Sequence, residues 1–310
     1  MSLIVGPACI GPLMELVEFG ADLRNLSVRM DQVEKVLDVP PMPAGTEQSP
    51  TGAADIAFRD VSFSYQNAAD PLRRMALDRL SLEIPAGSFV ALVGPSGGGK
   101  STAGQLLARF WDVESGSISI GGKDVRDYAP DALMSTIAFV FQGTHLFAES
   151  AYDNIAMHRA VSREEVENAA KAARCHDLIR SLPEGYDTRL GDGGHKLSGG
   201  EAQRIAIARA ILKDAPIVVL DEAMAFADAE NELALREGMA ELLRGKTVLM
   251  IAHRLYSIQD ADRIFVLSEG RLEESGTHEG LLRKNGLYAH LWAVQNETGS
   301  WEMKGGVAHA

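Results

Sequence analysis

The chain has 310 residues, the length of about two domains, and its 46% hydrophobic content excludes a disordered chain. Thirty basic residues against 43 acidic ones give a net charge of −13, which excludes a general basic surface for nucleic acid or anionic membranes. Any bound anion must therefore be held by a local site. The two cysteines, Cys9 and Cys175, are too few for a disulfide framework and favour a reducing compartment.

The first 39 residues predict a short apolar stretch followed by a long helix. No stretch reaches the ~20 apolar residues that span a bilayer, and residues 2–14, the most apolar, are interrupted by Pro7, Gly11 and Pro12. From Leu16 to Leu37 the apolar residues recur in steps of three and four, the period of an amphipathic helix. This helix packs on its own domain or a second subunit, or it continues a membrane helix into the cytosol; the pattern leaves both interpretations open. Residues 40–54, rich in Pro and Gly, predict a linker.

From residue 55 onward, short strands punctuated by glycine alternate with helices. The predicted strands are residues 56–65, 80–84, 88–93, 117–120, 136–141, 217–220 and 247–251. A helical stretch is predicted over residues 150–180, and residues 296–310 predict a polar tail without periodicity. Continuous apolar runs are typical of buried parallel strands, so the pattern indicates an α/β core with a helical insertion.

A P-loop pattern follows the predicted strand 88–93 and leads into a predicted helix over residues 102–110. It reads Gly94-Pro95-Ser96-Gly97-Gly98-Gly99-Lys100-Ser101-Thr102. The glycines let backbone N–H groups point at phosphate oxygens, and the helix N-terminus adds partial positive charge. We expect Lys100 to reach the β- and γ-phosphates of a nucleotide and the Ser101 hydroxyl to bind Mg²⁺.

An acidic pair ends the buried strand 217–220. We expect Asp221 to hold Mg²⁺, directly or through water. Adjacent residues at a strand end point in different directions, so Glu222 can face the γ-phosphate and polarise an attacking water molecule.

The segment Leu197-Ser198-Gly199-Gly200-Glu201 resembles the signature motif of the ATP-binding cassette (ABC) ATPases, and it lies between the P-loop and the acidic strand as in that family. Ser198 predicts a helix N-cap, and Gly199 and Gly200 expose amides that form a second anion site. The resemblance covers about residues 55–295. It implies a P-loop NTPase cassette: a RecA-like α/β core, an antiparallel β subdomain and a helical subdomain, here preceded by the long amphipathic helix.

Four further residues match positions of the ABC family. Tyr65 matches the aromatic residue that stacks on adenine, and Gln142 matches the glutamine that contacts Mg²⁺ and the attacking water and couples the site to the membrane domains. His253 matches the switch histidine that hydrogen-bonds the γ-phosphate. Asp228 matches the residue that makes a contact across the cassette dimer, in a loop that reads Ala-Phe-Ala-Asp where the family commonly has a serine.

Finer features resemble the exporter-type members of the family. Residues 188–194 are similar to their short acidic loop, with Asp192 where Glu is usual, and the loop before Asp228 is similar to that of siderophore-type transporters. The resemblance implies that residues 1–39 are the remnant of the last transmembrane helix and its cytosolic extension, 40–54 a linker, 55–295 the nucleotide-binding domain and 296–310 a flexible tail.

The resemblance also implies an activity and partners. We expect an ATPase with ATP and Mg²⁺ as cofactors, which powers transport of a siderophore, lipid or drug at the cytoplasmic face of the inner membrane. Its partners are a second cassette, docked head to tail so that each ATP lies between one P-loop and the other signature, and transmembrane domains; nucleic acid is not a partner. The sequence leaves open which molecule is transported, in which direction, and whether the second cassette is an identical chain. It also leaves open whether the chain is a fragment or a separate subunit.

Two alternative functions belong to other classes. A soluble cassette protein acting on ribosomes or nucleic acid is disfavoured by the single cassette and the charge of −13. A regulatory module that binds nucleotide without hydrolysis is disfavoured by the presence of Glu222, Gln142 and His253.

Overall fold

The computed structural model describes residues 10–48, 53–66, 73–141, 143–221, 229–252 and 254–305. It divides into two compact units between Pro43 and Ala44. Within the described ranges, no helix combines the length and the apolar character that a membrane crossing requires.

In the described part of the first unit, residues 10–43, helix α1 spans Ile10–Leu37. The predicted amphipathic helix is therefore confirmed, and it begins six residues earlier than its apolar period indicated. Its large apolar side chains are more than half exposed: Met14, Val17, Phe19, Leu23, Leu26, Val28, Met30, Val33 and Leu37.

The described residues of the second unit form two sheets. The antiparallel sheet has the order β2-β1-β4-β5 and is formed by β1 (Ile56–Phe63), β2 (Leu77–Ile84), β4 (Ser115–Ile120) and β5 (Lys123–Asp124). The other has the order β10-β9-β3-β8-β7-β6 and is formed by β3 (Phe89–Val93), β6 (Ile137–Val140), β7 (Ile217–Asp221), β8 (Thr247–Ile251), β9 (Arg263–Ser268) and β10 (Arg271–Gly276). All its pairs are parallel except β9 with β10.

The helices of this unit pack on the two sheets and in the predicted insertion. They are α2 (Lys100–Leu107), α3 (Pro130–Thr136), α4 (Ala151–Ala156), α5 (Arg163–Ala172), α6 (His176–Ser181), α7 (Gly199–Lys213), α8 (Ala229–Leu243), α9 (His278–Lys284) and α10 (Leu287–Gly305). The parallel sheet, the antiparallel sheet and the helical insertion confirm the predicted fold class.

Two sequence predictions about helices are corrected. The stretch predicted over residues 150–180 is three short helices, because Met157 (φ 52°) ends α4 and Arg174 (φ 57°) separates α5 from α6 in left-handed conformations. The tail predicted to lack structure from residue 296 continues α10 as far as Gly305. Adding residues to an existing helix costs little once its first turns have formed.

Alternating side chains of the parallel strands fill two cores, one on each face of the sheet. Val90 and Leu92 of β3 pack with the antiparallel sheet and α2, whereas Ala91 and Val93 pack with α4, α5, α7 and α8. Cys175 lies in the second of these cores, and burial raises the pKa of its thiol to about 12. Because strands β3, β6, β7, β8 and β9 run parallel, the loops at their carboxyl ends lie at one edge of the sheet.

Candidate nucleotide site

The predicted site residues lie at the carboxyl edge of the parallel sheet. The P-loop follows β3, and Asp221 is the last residue of β7, two strands away in the sheet. Gln142, Glu222, Asp228 and His253 lie outside the described residues. The strands that precede Gln142, Glu222 and His253 in the chain, β6, β7 and β8, all end at this edge.

Two glycines of the P-loop occupy positions that no other residue fits. Gly94 has φ 141°, and a Cβ there would lie 1.9 Å from the Leu267 carbonyl oxygen. Gly99 has φ 93°, and a Cβ there would lie 2.4 Å from the Ala76 carbonyl oxygen. The loop backbone is therefore packed directly against the backbone of neighbouring segments, which leaves its other side to a ligand.

The loop ends at the N-terminus of α2. The N-cap residue is Gly99, so no side chain caps the first turn of α2, and such amides bind anions readily. Lys100, which is only 4% exposed, donates from Nζ to the carbonyl oxygens of Gly94 (2.9 Å) and Pro95 (2.8 Å). The loop thus holds an ammonium group on its inner side, where phosphate oxygens would be bound.

Two oxygen atoms that could bind a metal ion, one from Ser101 and one from Asp221, lie close together beside the P-loop. The Ser101 hydroxyl lies 3.4 Å from a carboxylate oxygen of Asp221. Carboxylate and hydroxyl oxygens are ligands that Mg²⁺ prefers, and this ion is usually held by one or two protein ligands together with substrate phosphates. The residues present therefore fit a magnesium ion at this point.

Tyr65 is half exposed and is fixed to α2 through its hydroxyl. That oxygen lies 2.8 Å from Gln105 Oε1 and 3.2 Å from Thr102 Oγ1. The Tyr65 ring meets Phe63 edge to face at 4.9 Å and Trp111 at 5.6 Å. Sequence reasoning missed Trp111, although an exposed aromatic residue shortly after the P-loop helix was a visible signal.

The signature segment forms the predicted helix cap. Ser198 Oγ accepts from the Glu201 amide (3.3 Å), and the Ser198 amide donates to the Glu201 carboxylate (2.7 Å), so the two residues form a capping box at the start of α7. Ser198 and Gly199 are exposed. Among the described residues, no hydrogen bond or ion pair joins Ser198, Gly199 or Gly200 to the P-loop. The structure thus brings Ser101, Asp221, Thr102 and Tyr65 together, but not the two anion sites.

Comparisons with known proteins agree with this geometry. A family model described as ABC transporter matches residues 77–225. The ATP-dependent lipid A-core flippase of Vibrio parahaemolyticus is 46% identical over 78% of this chain and 41% of its own length, and that of Haemophilus influenzae is 40% identical over 93% and 49%. A solved bacterial Atm1-family ABC exporter with ATP bound superposes with a TM-score of 0.78 at 41% identity, over 88% of this chain and 47% of that one. The chain spans less than half the length of these relatives.

Proposed function

We propose that this chain, which carries an ATP-binding cassette of the ABC transporter type, binds Mg²⁺ and ATP and hydrolyses ATP to power an exporter. The observation that carries the proposal is the approach of Ser101 to Asp221 at the end of a P-loop that has an uncapped helix behind it. One folded unit thereby offers amides and an ammonium group to phosphates and two oxygen atoms to a metal ion.

In this proposal each part of the nucleotide is bound by a different set of residues. The amides of residues 94–102 bind the phosphates, and Lys100 exchanges its two carbonyl partners for β- and γ-phosphate oxygens. Ser101 and Asp221, with Gln142, hold Mg²⁺, which neutralises charge on the phosphates when bound. Tyr65 offers its exposed ring to adenine, and its bonds to α2 fix that ring relative to the phosphate loop.

The proposed hydrolysis uses residues that directly follow the described strand ends. Glu222 polarises the attacking water, and Gln142 and His253 orient the water and the γ-phosphate. Ser198, Gly199 and Gly200 bind the γ-phosphate held by a second cassette, docked head to tail, and Asp228 contacts that cassette. The exposure of Ser198 and Gly199 and the first-turn amides of α7 support this role.

A surface groove supports coupling to membrane domains. Its volume is about 360 Å³, and Gly143, the residue after Gln142, is among its lining residues. Apolar residues of β6 and of the segments beside it, among them Phe110, Phe139 and Phe141, line it together with Arg159 and Lys213. We propose that the transmembrane domains dock here, on the cytoplasmic face of the inner membrane. Two relatives are named lipid A-core flippases, so a lipid is the first substrate class to test.

Replacing the proposed catalytic carboxylate tests the function. Glu222→Gln should bind Mg²⁺ and ATP as the unchanged chain does and should form ATP-dependent dimers in sedimentation velocity, while phosphate release falls at least about 100-fold. Glu241→Gln is the control, because Glu241 is an exposed residue of α8 paired with Arg244. Phosphate release by Glu222→Gln at the rate of the unchanged chain would contradict the proposal.

A further inference from the structure

Arg209 connects the signature helix to the segment that follows Gln142. It lies on α7 eleven residues after Ser198, about 16 Å along the helix axis. Its guanidinium donates from Nη1 to the carbonyl oxygen of His145 (2.7 Å), from Nη2 to Asn154 Oδ1 (2.7 Å) and from Nε to the carbonyl oxygen of Asn154. The fork thus spans two backbone positions and one side chain of a different part of the fold.

The charge of Arg209 is held in a partly desolvated environment. Burial lowers its pKa to about 10, so it stays protonated at neutral pH, and the guanidinium lies 5.6 Å from the centre of the Phe147 ring. Charge-assisted bonds from a planar fork are directional and strong. Breaking them would leave a cation with poor access to water, which is more costly than breaking exposed hydrogen bonds.

Asn154 holds residues 147–150 of the same segment together through side-chain hydrogen bonds. Its side chain is fully buried, its Nδ2 lies within hydrogen-bond distance of the carbonyl oxygens of Phe147, Glu149 and Ser150, and its Oδ1 accepts from the Phe147 amide (2.9 Å). Oδ1 also accepts from Arg209. One amide group therefore fixes the shape of residues 147–150 and fastens that shape to α7.

A second connection leads from this segment to the start of α7. The Leu190 amide donates to Glu149 O (2.8 Å), and the Ala151 amide donates to Thr188 O (2.9 Å). A Cβ on Gly191 would lie 2.6 Å from Leu146 O, so the two segments are in backbone contact there. Residues 188–191 precede the signature by a few residues. The segment after Gln142 is therefore joined to both ends of the signature region.

We propose that Arg209 and Asn154 are positioning residues that make residues 143–150 and α7 move as one body. A displacement at Gln142 then carries the Ser198 end of α7 with it. The inference rests on the proposed function, in which Gln142 contacts the metal and water and Ser198 contacts the nucleotide of a second cassette. It assigns the link between those sites to the half-buried Arg209 and the fully buried Asn154.

The experiment is hydrogen exchange on the whole chain, with and without Mg²⁺ and the non-hydrolysable analogue AMP-PNP. In the unchanged chain the nucleotide should slow exchange at residues 94–102, 143–150 and 198–206. Arg209→Lys keeps the charge but cannot bridge His145 and Asn154, so slowing at 94–102 and 143–150 should remain while slowing at 198–206 falls about tenfold. In parallel, kcat should fall about tenfold with the KM for ATP changed less than about twofold.

A second variant and a control distinguish loss of the link between residues 143–150 and α7 from a general loss of stability. Asn154→Asp keeps the acceptor for Arg209 and Phe147 but loses the Nδ2 hydrogens that face the carbonyl oxygens of Phe147, Glu149 and Ser150. Slowing at 198–206 should therefore be retained, and slowing at 143–150 should weaken. Arg163→Lys, on α5 next to Asp187 and the Tyr186 ring, should match the unchanged chain.

The outcomes distinguish the two proposals. Full slowing at 198–206 in Arg209→Lys overturns the link and leaves the ATPase proposal intact. A uniform loss of slowing, including residues 94–102, in both variants also overturns it, since that pattern reports general destabilisation. Absence of slowing at 94–102 in the unchanged chain overturns both proposals.

Discussion

The hydroxyl of Ser101 and the carboxylate of Asp221 lie 3.4 Å apart, although 120 residues separate them in the chain. Ser101 is in the first turn of α2, directly after β3, and Asp221 is the last residue of β7. Because both strands run parallel in one sheet, their carboxyl ends lie at the same edge. The topology of the sheet, rather than local sequence, therefore brings together the two residues proposed to bind the metal ion.

Removing the hydroxyl of this pair should weaken metal binding. Ser101→Ala should raise the Mg²⁺ concentration for half-maximal ATP hydrolysis about tenfold, because one of the protein oxygen atoms proposed to hold the ion is lost. The measurement is phosphate release titrated with Mg²⁺ at fixed ATP. Ser135→Ala is the control, since its hydroxyl donates to Ala132 O within α3. An unchanged Mg²⁺ requirement in Ser101→Ala would remove Ser101 from the metal site.

Gly94 and Gly97 of the P-loop have different surroundings, so substitution by alanine should destabilise the fold to different extents. Gly94→Ala places a Cβ 1.9 Å from Leu267 O and should lower the free energy of unfolding by about 3 kcal/mol. Gly97→Ala has φ 77° but no atom within 4 Å of the new Cβ, so it should cost only about 1 kcal/mol. Urea unfolding without nucleotide measures both, and equal losses would contradict the close backbone approach at Gly94.

The ring and the hydroxyl of Tyr65 should contribute separately to ATP binding. Tyr65→Ala removes a stacking surface and should weaken ATP binding about 10-fold or more, because an aromatic side chain stacked on a base contributes ~1–3 kcal/mol. Tyr65→Phe keeps the ring and loses only the bonds to Gln105 and Thr102, so a loss of about threefold is expected. Inorganic tripolyphosphate, which has no base, should bind all three proteins equally in calorimetric titrations. A parallel loss of tripolyphosphate binding would assign Tyr65 to the phosphate site.

Two helices begin with the same type of cap, so a comparison of their variants distinguishes an effect on stability from an effect on dimerisation. Ser198 with Glu201 and Ser162 with Glu165 both form capping boxes. Each Ser→Ala change should lower the free energy of unfolding by about 1 kcal/mol. Only Ser198→Ala should weaken ATP-dependent dimerisation, measured by sedimentation in the Glu222→Gln background. If Ser162→Ala weakens it equally, the effect of Ser198 is one of folding alone.

The features that sequence predicted best are those with short-range chemistry. The P-loop, the buried strand ending at Asp221 and the Ser198 cap depend on neighbouring residues, and the structure contains the loop, strand and cap as expected. Strands β9 and β10 were missed, as was β5. The sequence signal for β9 was present, since its apolar run is followed by the two-residue turn Glu269-Gly270, whereas β10 mixes exposed and half-buried positions and β5 has only two residues.

Other features depend on contacts that leave no pattern in the sequence. Met157 and Arg174 adopt left-handed conformations without a glycine or asparagine to announce them, so three helices were predicted as one stretch. The bonds of Arg209 go mostly to backbone carbonyl oxygens, which every residue carries. A half-buried arginine of this kind is indistinguishable in sequence from one on the solvent face of α7.

Burial of Cys175 has a practical consequence for following the protein in solution. It is the one cysteine in the described ranges, its side chain is fully buried, and its thiol scarcely ionises at neutral pH because its pKa is about 12. After Cys9 is replaced, a cysteine introduced at an exposed position such as Lys196 would be the reactive thiol for a maleimide dye or a spin label. Distances between two labelled copies would then report the opening and closing of the proposed cassette pair directly, without altering the core that Cys175 helps to fill.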